Sequence, residues 1–274
     1  MSKLFITSAL ATSILLFAGC EKVIDLEVDN APSRIVIEGN VFNGDGPFTV
    51  RVTRTASFYD SSDPIGAAGA TVRITDNAGN SEVLAEGANG IYSTALLQGV
   101  EGRTYSLEVQ VEGETYLGSN TMPALNLIDS LTYEYLDSTD YVFLSLEDFG
   151  EYITAYHTDP AGMENFYQYR LYLHGELDEP RKNKRTFSDR LFDGLQNEDR
   201  LFGHPFDIGD TVTVELWSID RTAYDFYTTL NEVADNNGGG PFSGIPDNPT
   251  SNLSNGAFGF FGAVAVGRKQ VVIE

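Results

Sequence analysis

The only cysteine of the 274-residue chain, Cys20, ends an ordered pattern near the N terminus. Lys3 supplies a positive charge, the apolar run LFITSALATSILLF occupies residues 4–17, and Ala18 and Gly19 precede the cysteine. The apolar run has the length of a signal-peptide core and is too short to span a bilayer. Small residues before a cysteine suit the pocket of a signal peptidase. The thiol of such a cysteine can be alkylated with a diacylglyceryl group. The pattern predicts a lipid on this cysteine; the alternative is an ordinary secretory peptide with a chance cysteine.

A lipid on Cys20 would tie the mature chain to a membrane. Each methylene buried in a bilayer contributes about 0.8 kcal/mol, so more than one acyl chain gives stable anchoring. Because the chain has no other cysteine, we expect no disulfide, no thiol catalysis and no cysteine-based metal site.

The remaining reactive side chains form no recognisable catalytic motif. The histidines His157, His174 and His204 lie at spacings that match no zinc motif, and we expect each to cap a strand or to lie in a loop. The sequence contains no G-x-S-x-G and no EF-hand run. Its 40 acidic residues guarantee many carboxylate pairs, so no pair identifies a glycosidase. We therefore predict no catalytic residue, no metal site, no cofactor and no enzyme.

Two further groups of residues could bind a ligand. The basic cluster RKNKR at residues 181–185 is a positive patch on an acidic chain, and we expect it to be a solvated loop. Several aromatic residues of the second half could stack on sugar rings, but aromatic residues in strands mostly fill cores, and we expect core packing. These aromatic residues are Phe166, Tyr167, Tyr169, Tyr172 and Trp217.

Composition narrows the range of partners. The formal net charge is −23, with the acidic residues spread along the chain, and such a surface repels nucleic acid and anionic lipid headgroups. A hydrophobic content of 42%, with 17 Phe and 14 Tyr, is enough for a packed core, so the chain is globular. The sequence leaves the identity of a small-molecule ligand open.

Alternating apolar and polar residues predict the elements of the first half. The segments RIVIEGNVF, PFTVRVTRT, ATVRITD and YSLEVQVEG have the period of strands with one buried face. After a signal peptide (residues 1–19) and a tether (20–33), they predict a β-sandwich over residues 34–121. The turns around residues 69–79 and 90–92 resemble those of immunoglobulin-like and transthyretin-like sandwiches.

The second half predicts a larger β domain. Pro123, within TMPALN (residues 121–126), cannot donate to a ladder, so we place a domain boundary there. Strands over 127–274 are predicted at SLTYEY, YVFLSLE, YITAYH, FYQYRLYLHG and TVTVELWSID. The run TAYDFYTTLNEVADN predicts one short helix with Thr222 as its N-cap. Its buried face is predicted to carry Tyr224, Tyr227 and Leu230. The predicted fold class is therefore all-β with one short helix.

A Pro-rich loop over residues 241–256 is the last candidate for a partner contact. Phe242 and Ile245 could cover the apolar face of the predicted helix, or they could contact a partner. We expect them to pack on the helix.

The chain resembles a family of lipoproteins. The resemblance lies in the cysteine followed by Glu21 and Lys22, in VIEGNVFNGDGPFTVRVTRT, in GDTVTVELWSID, and in the C-terminal PFSGIPDNPTSNLSNGAFGFFGAVAVGRK. These segments are similar to the Bacteroidota family known as domain of unknown function forty-two forty-nine. The resemblance implies an outer-membrane lipoprotein, often encoded near a TonB-dependent receptor, and it carries over no catalytic residue. It leaves the periplasmic and the cell-surface faces of the membrane open.

Three functional hypotheses follow. The first is a lipid-anchored binding or accessory protein that works with a TonB-dependent receptor or transporter. The second is a structural or adhesive surface module, and the third is a hydrolase on a β scaffold. The lipid-attachment pattern, the acidic sandwich and the family resemblance make the first the leading hypothesis, and no catalytic motif supports the third.

Overall fold

The computed structural model describes residues 32–56, 64–137, 149–178, 186–202, 205–235 and 248–274. These residues form strands and a single α-helix, which confirms the predicted all-β fold class with one short helix. Several predicted features lie outside the described residues: Cys20, the strand at 141–147, the basic cluster at 181–185, His204, Phe242 and Ile245. They therefore stay predictions.

The described part of the first half contains ten strands. They are β1 (Ile35–Phe42), β2 (Gly44–Asp45), β3 (Thr49–Arg54), β4 (Thr71–Asp76), β5 (Ser81–Val83), β6 (Ala85–Glu86), β7 (Ile91–Ser93), β8 (Gln98–Gly99), β9 (Thr104–Val111) and β10 (Glu114–Thr121). All four alternating segments of the sequence are strands, namely β1, β3, β4 and β9.

The described part of the second half contains eight strands and the helix. They are β11 (Ser130–Leu136), β12 (Gly150–Thr158), β13 (Phe166–Leu173), β14 (Glu176–Leu177), β15 (Thr186–Ser188), β16 (Gln196–Arg200), β17 (Thr211–Ile219), α1 (Arg221–Asp235) and β18 (Phe258–Val272). Among these residues, no helix is both long and apolar enough to cross a membrane.

One long sheet runs through both halves of the chain. Its strand order is β14-β13-β17-β18-β1-β3-β7-β6, with β15 also paired to β13. The closing strand β18 lies between the halves, antiparallel to β17 and parallel to β1. Two smaller sheets, of four and three strands, have the orders β10-β9-β4-β5 and β11-β12-β16, while β2 and β8 form a separate two-stranded ladder.

Both smaller sheets share a core with the inner face of the long sheet. In the first core, Ile37 and Val52 of the long sheet cluster with Ile74 and Leu107 of the four-stranded sheet. In the second core, Ile153 of the three-stranded sheet clusters with long-sheet residues that include Tyr169, Val214 and Leu216. The fold is therefore two β-sandwiches, side by side, that share one sheet.

The predicted domain boundary is a packed segment of this fold. Residues 33–274 form one compact unit, and Met122 is fully buried and paired through its backbone with Arg103. The closing strand supplies Phe261 and Ala263 to the core of the first sandwich. The division into residues 34–121 and 127–274 stays a prediction about independent folding, but in the structure both parts share a sheet.

Helix α1 covers part of the outer face of the long sheet. The helix begins at Arg221, one residue before the predicted N-cap. Its N-cap is Asp220, whose Oδ1 accepts the backbone N–H of Ala223 at 2.8 Å. The assignment of Thr222 as N-cap was wrong, since Thr222 lies inside the first turn. Tyr227 is buried and Tyr224 packs in the same cluster, as predicted. The prediction for Leu230 was wrong, since it is 40% exposed, and Phe226 takes its place by stacking on Phe260 of β18, with 4.8 Å between ring centroids.

A short segment before β18 fixes the closing strand to the first sandwich. The Asn252 amide donates to the carbonyls of Ser119 at 3.0 Å and Phe261 at 2.7 Å, and its Oδ1 accepts the N–H of Phe261 at 3.0 Å. Ser254 exchanges hydrogen bonds with Leu117 of β10. This edge strand is thereby joined to β18.

We predict that Asn252→Ala destabilises the whole described fold. The variant leaves two carbonyls and one N–H without their partner, which should lower the free energy of unfolding by about 1–3 kcal/mol. Urea unfolding measures the loss. The control Asn77→Ala, in an exposed turn, should change it by less than about 0.5 kcal/mol. Equal effects of the two variants would contradict the role assigned to Asn252.

Candidate functional site

The outer face of the long sheet carries an open groove of about 410 Å³. Strands from both halves of the chain contribute to it, with β1, β3 and β7 on one side and β13 and β17 on the other. We call it the outer groove, and its polar and aromatic lining is formed by Glu38, Asn40, Arg51, Arg170, Tyr172 and Trp217.

Strand alternation sets which residues face this groove. In β13, Tyr169 and Leu171 point into the second core, so Arg170 and Tyr172 point outward. In β17, Val214 and Leu216 occupy the same core, which places Glu215 and Trp217 on the outer face. The packing of the inner face therefore fixes the residues of the groove.

Gly262 makes room for the side chain of Asn40. It lies opposite Asn40 in the parallel pairing of β18 and β1. A Cβ at this position would lie 2.1 Å from Asn40 Oδ1, so any other residue would displace that side chain. A glycine between the two halves of the groove thus keeps the asparagine in place.

A buried carboxylate, Glu215, organises the wall of the groove. Its Oε2 accepts hydrogen bonds from Trp217 Nε1 at 2.8 Å and from the Tyr172 hydroxyl at 3.1 Å, and its Oε1 accepts from Arg268 Nε. Burial and the neighbouring Glu215 raise the pKa of Tyr172, which keeps the phenol protonated as a donor. Three donors around one carboxylate hold these side chains in fixed orientations.

The groove has two arginines in different situations. The Arg170 guanidinium lies 3.4 Å over the Trp217 ring, and its Nε donates to Gln168 Oε1 at 3.2 Å. Arg51 forms no ion pair with any residue that the structure describes. One cation is therefore held in place, whereas the other is available to a ligand.

Asn40 Oδ1 is a buried acceptor that has no hydrogen-bond partner among the described residues. A buried acceptor without a donor costs about 1–3 kcal/mol. The oxygen lies against Gly262 and has no exposed surface, so it belongs to the packing beneath the groove. The groove itself presents the guanidinium groups of Arg51 and Arg170 together with the exposed carboxylate of Glu38.

Three carboxylates meet at a second place, between the loops around residues 159–165 and 189–194. Oxygens of Asp159, Asp189 and Asp193 lie within 4.8 Å of one another. Each carboxylate accepts one backbone N–H, from Gly194, Asn165 and Gly162 respectively. Carboxylate oxygens are the ligands that Ca²⁺ prefers, but the three hydrogen bonds already explain the cluster as a brace between loops.

The structure places two of the three histidines. The prediction of a strand cap or loop was wrong for His157, which is fully buried inside β12, with its Nδ1 2.9 Å from the Tyr169 hydroxyl. Its burial lowers the pKa of the imidazole. His174 lies in a turn, as predicted, with its Nε2 3.0 Å from Asp210 Oδ1.

The prediction that the aromatic residues pack in cores is confirmed for four of the five. Tyr167 and Tyr169 lie in the second core, and Phe166 and Trp217 are buried in the cluster with α1. Tyr172 is half-buried and lines the groove. The sequence analysis missed the other groove residues, although the outward positions of the alternating strands contain all of them.

Comparison with known proteins identifies a family. The model described as Domain of unknown function (DUF4249) matches residues 21–270. No curated protein matches the chain. Among solved structures, the Yersinia pseudotuberculosis adhesin InvE is similar at 18% identity with a TM-score of 0.22. That match covers 68% of this chain and 55% of the adhesin chain, and at this TM-score it carries no functional information.

We predict that Asp189→Asn raises the melting temperature at pH 7. Burial, together with repulsion from Asp159 and Asp193, raises the pKa of Asp189 above 3.8, so the ionised form is disfavoured in the folded state. The penalty is present at pH 7 and disappears as the pH falls below the unfolded-state pKa of 3.8. The amide oxygen of Asn can still accept the N–H of Asn165.

Thermal melting at pH 7 and at about pH 3 measures the effect. Asp193→Asn, at the exposed member of the cluster, is the matched control and should change the melting temperature less. If Asp189→Asn melts at a lower temperature than the wild type at pH 7, and EDTA lowers the melting temperature of the wild type in the same way, the carboxylates hold a cation and the role as a brace between loops is contradicted.

Proposed function

The chain belongs to the DUF4249 family of domains of unknown function, and we propose that it is a lipid-anchored binding protein of the outer membrane. In this proposal it works with a TonB-dependent receptor or transporter, and its outer groove holds the ligand. The organisms expected to carry it are Bacteroidota. Whether it faces the periplasm or the cell surface is left open.

The N-terminal pattern supports the anchor. Charge, apolar run, small residues and Cys20 follow in the order of a lipoprotein signal peptide. The family match begins at residue 21, directly after this cysteine. The start of the family domain therefore coincides with the predicted start of the mature chain, in which Cys20 would be the first residue.

The outer groove is the observation that carries the binding function. Its residues come from five strands of both halves, and the Glu215 cluster holds one wall in a fixed geometry. A concave groove with a few polar side chains in fixed positions, together with the guanidinium of Arg51, is typical of a ligand site.

We predict that Cys20→Ala abolishes the membrane association of the protein. The wild type should incorporate labelled palmitate and fractionate with the outer membrane, because its acyl chains insert into the bilayer. The variant should take up no label and appear in the soluble fraction. Ser33→Ala, at the exposed last residue of the predicted tether, is the control and should behave as the wild type. A wild-type protein that is soluble and unlabelled would contradict the anchor.

A further inference from the structure

A fully buried histidine lies in the core of the second sandwich. The Nδ1 atom of His157 in β12 lies 2.9 Å from the Tyr169 hydroxyl. The other ring nitrogen, Nε2, is also buried and has no hydrogen-bond partner among the described residues. An imidazolium carries an N–H donor on both nitrogens, and a charged donor that is buried without a partner is costly. The closed core therefore favours the neutral imidazole.

Aromatic rings enclose this imidazole. The ring centroids of Tyr167 and Tyr169 lie 5.0 and 6.1 Å from that of His157. Those of Phe187 and Phe192 lie 6.0 and 5.8 Å from it. Both tyrosines belong to β13, whereas both phenylalanines belong to a short stretch of chain between β15 and β16. Water can reach Nε2 only when one of these elements moves.

Residues 186–195 form the part of the enclosure that is attached by a short ladder, and we call them the cover segment. Its strand β15 pairs with β13 through three residue pairs, whereas β13 pairs with β17 through eight. Beyond β15, the carboxylate brace described above joins the cover segment to residues 159–165. A short ladder with loop contacts opens at a lower free energy than long paired strands do.

Several titratable groups determine how His157 responds to acid. Those that face it are two phenols of β13 and three carboxylates, namely Tyr167, Tyr169, Asp129, Asp159 and Asp199. Burial outweighs the three carboxylates and lowers the pKa of His157 below 6.5. The cover segment contributes Asp189, whose pKa is raised by burial, so this group stabilises the closed form as the pH falls. The two residues thus respond to acid in opposite directions.

We propose that His157 makes the cover segment an acid-operated switch, which is closed at neutral pH and opens when the imidazole takes up a proton. In the open form Nε2 reaches water, and the rings of Phe187 and Phe192 leave the core. These rings then join Leu191 and Leu195, which are already exposed, in an apolar surface that forms only in acid. The switch depends neither on a ligand in the outer groove nor on the lipid anchor.

Proton linkage fixes the direction and size of the effect. Because the pKa of His157 is lower in the closed form than in the open form, the closed form loses stability as the pH falls below the open-form value. An exposed imidazole has a pKa of about 6.5. If the closed form stays neutral, the equilibrium constant for opening should rise about thirtyfold between about pH 8 and about pH 5.

Hydrogen-exchange mass spectrometry of the detergent-solubilised full chain measures this opening. Exchange of a peptide that covers residues 186–195, corrected for the intrinsic effect of pH on exchange, should be about thirtyfold faster at the lower pH. A peptide from β17 should show no such increase, because only the cover segment opens. If the β17 peptide exchanges in step with the cover segment, acid unfolds the whole sandwich and the proposal is overturned.

Variants assign the response to His157. His157→Phe removes the titrating group and keeps an aromatic ring, so the corrected exchange of the cover segment should be the same at both pH values. His174→Gln, at an exposed histidine in a turn, is the matched control and should keep the wild-type response. Asp189→Asn removes the opposing group and should leave the response undiminished. A response that survives in His157→Phe, or that disappears in His174→Gln, would overturn the proposal.

Proton NMR titration of the wild type keeps the proposal testable if His157→Phe does not fold. The His157 imidazole should take up its proton over the same pH range in which exchange of the cover segment accelerates. Protonation of His157 at its ordinary pKa without faster exchange would show that the closed core accepts the charge. That result, or equal corrected exchange of the wild-type cover segment at both pH values, would refute the switch.

Discussion

The pairing of the closing strand β18 with two strands from opposite ends of the chain is the constraint on which the other features depend. Strand β18 pairs with β17 from the second half through residues 265–272 and with β1 from the first half through residues 258–264. Its inner face supplies Phe261 and Ala263 to one core, and its outer face supplies Phe260 and Val264 to the cluster under α1. Without this strand, the two sandwiches would expose open sheet edges, and the groove would lose the strand between its walls.

The distinctive C-terminal residues serve this pairing. Asn252 donates to the carbonyls of Ser119 in β10 and Phe261 in β18, and Asn255 donates to the carbonyl of Thr115 in β10. Asn255 and Gly256 turn the chain with positive φ. Gly259 has φ of 93°, and a Cβ there would lie 2.1 Å from the carbonyl oxygen of Ile37. The segment that carries the family resemblance most specifically is thus the one that seats β18 beside β1. These residues stabilise the fold, and the groove depends on them only indirectly.

Local sequence signals predicted the strands well, because a period of two is visible in any strand with one buried face. The parallel pairing of β1 with β18 could not be predicted, since nothing local links residues that lie more than 200 positions apart. The helix start was misplaced because Asp220 and Thr222 both carry side-chain oxygens, and only geometry shows that the aspartate reaches Ala223. The groove escaped detection for the same reason as the pairing: its residues come from five strands that only the sheet order brings together.

Urea unfolding, followed at both ends of the long sheet, tests the role of β18 most directly. Fluorescence of Trp217, the sole tryptophan, reports on the second half, and hydrogen-exchange mass spectrometry of β4 and β9 peptides reports on the first. If β18 joins the halves into one cooperative unit, both signals should change at the same urea concentration. Two separate transitions, with the first sandwich intact after the second has unfolded, would contradict this account.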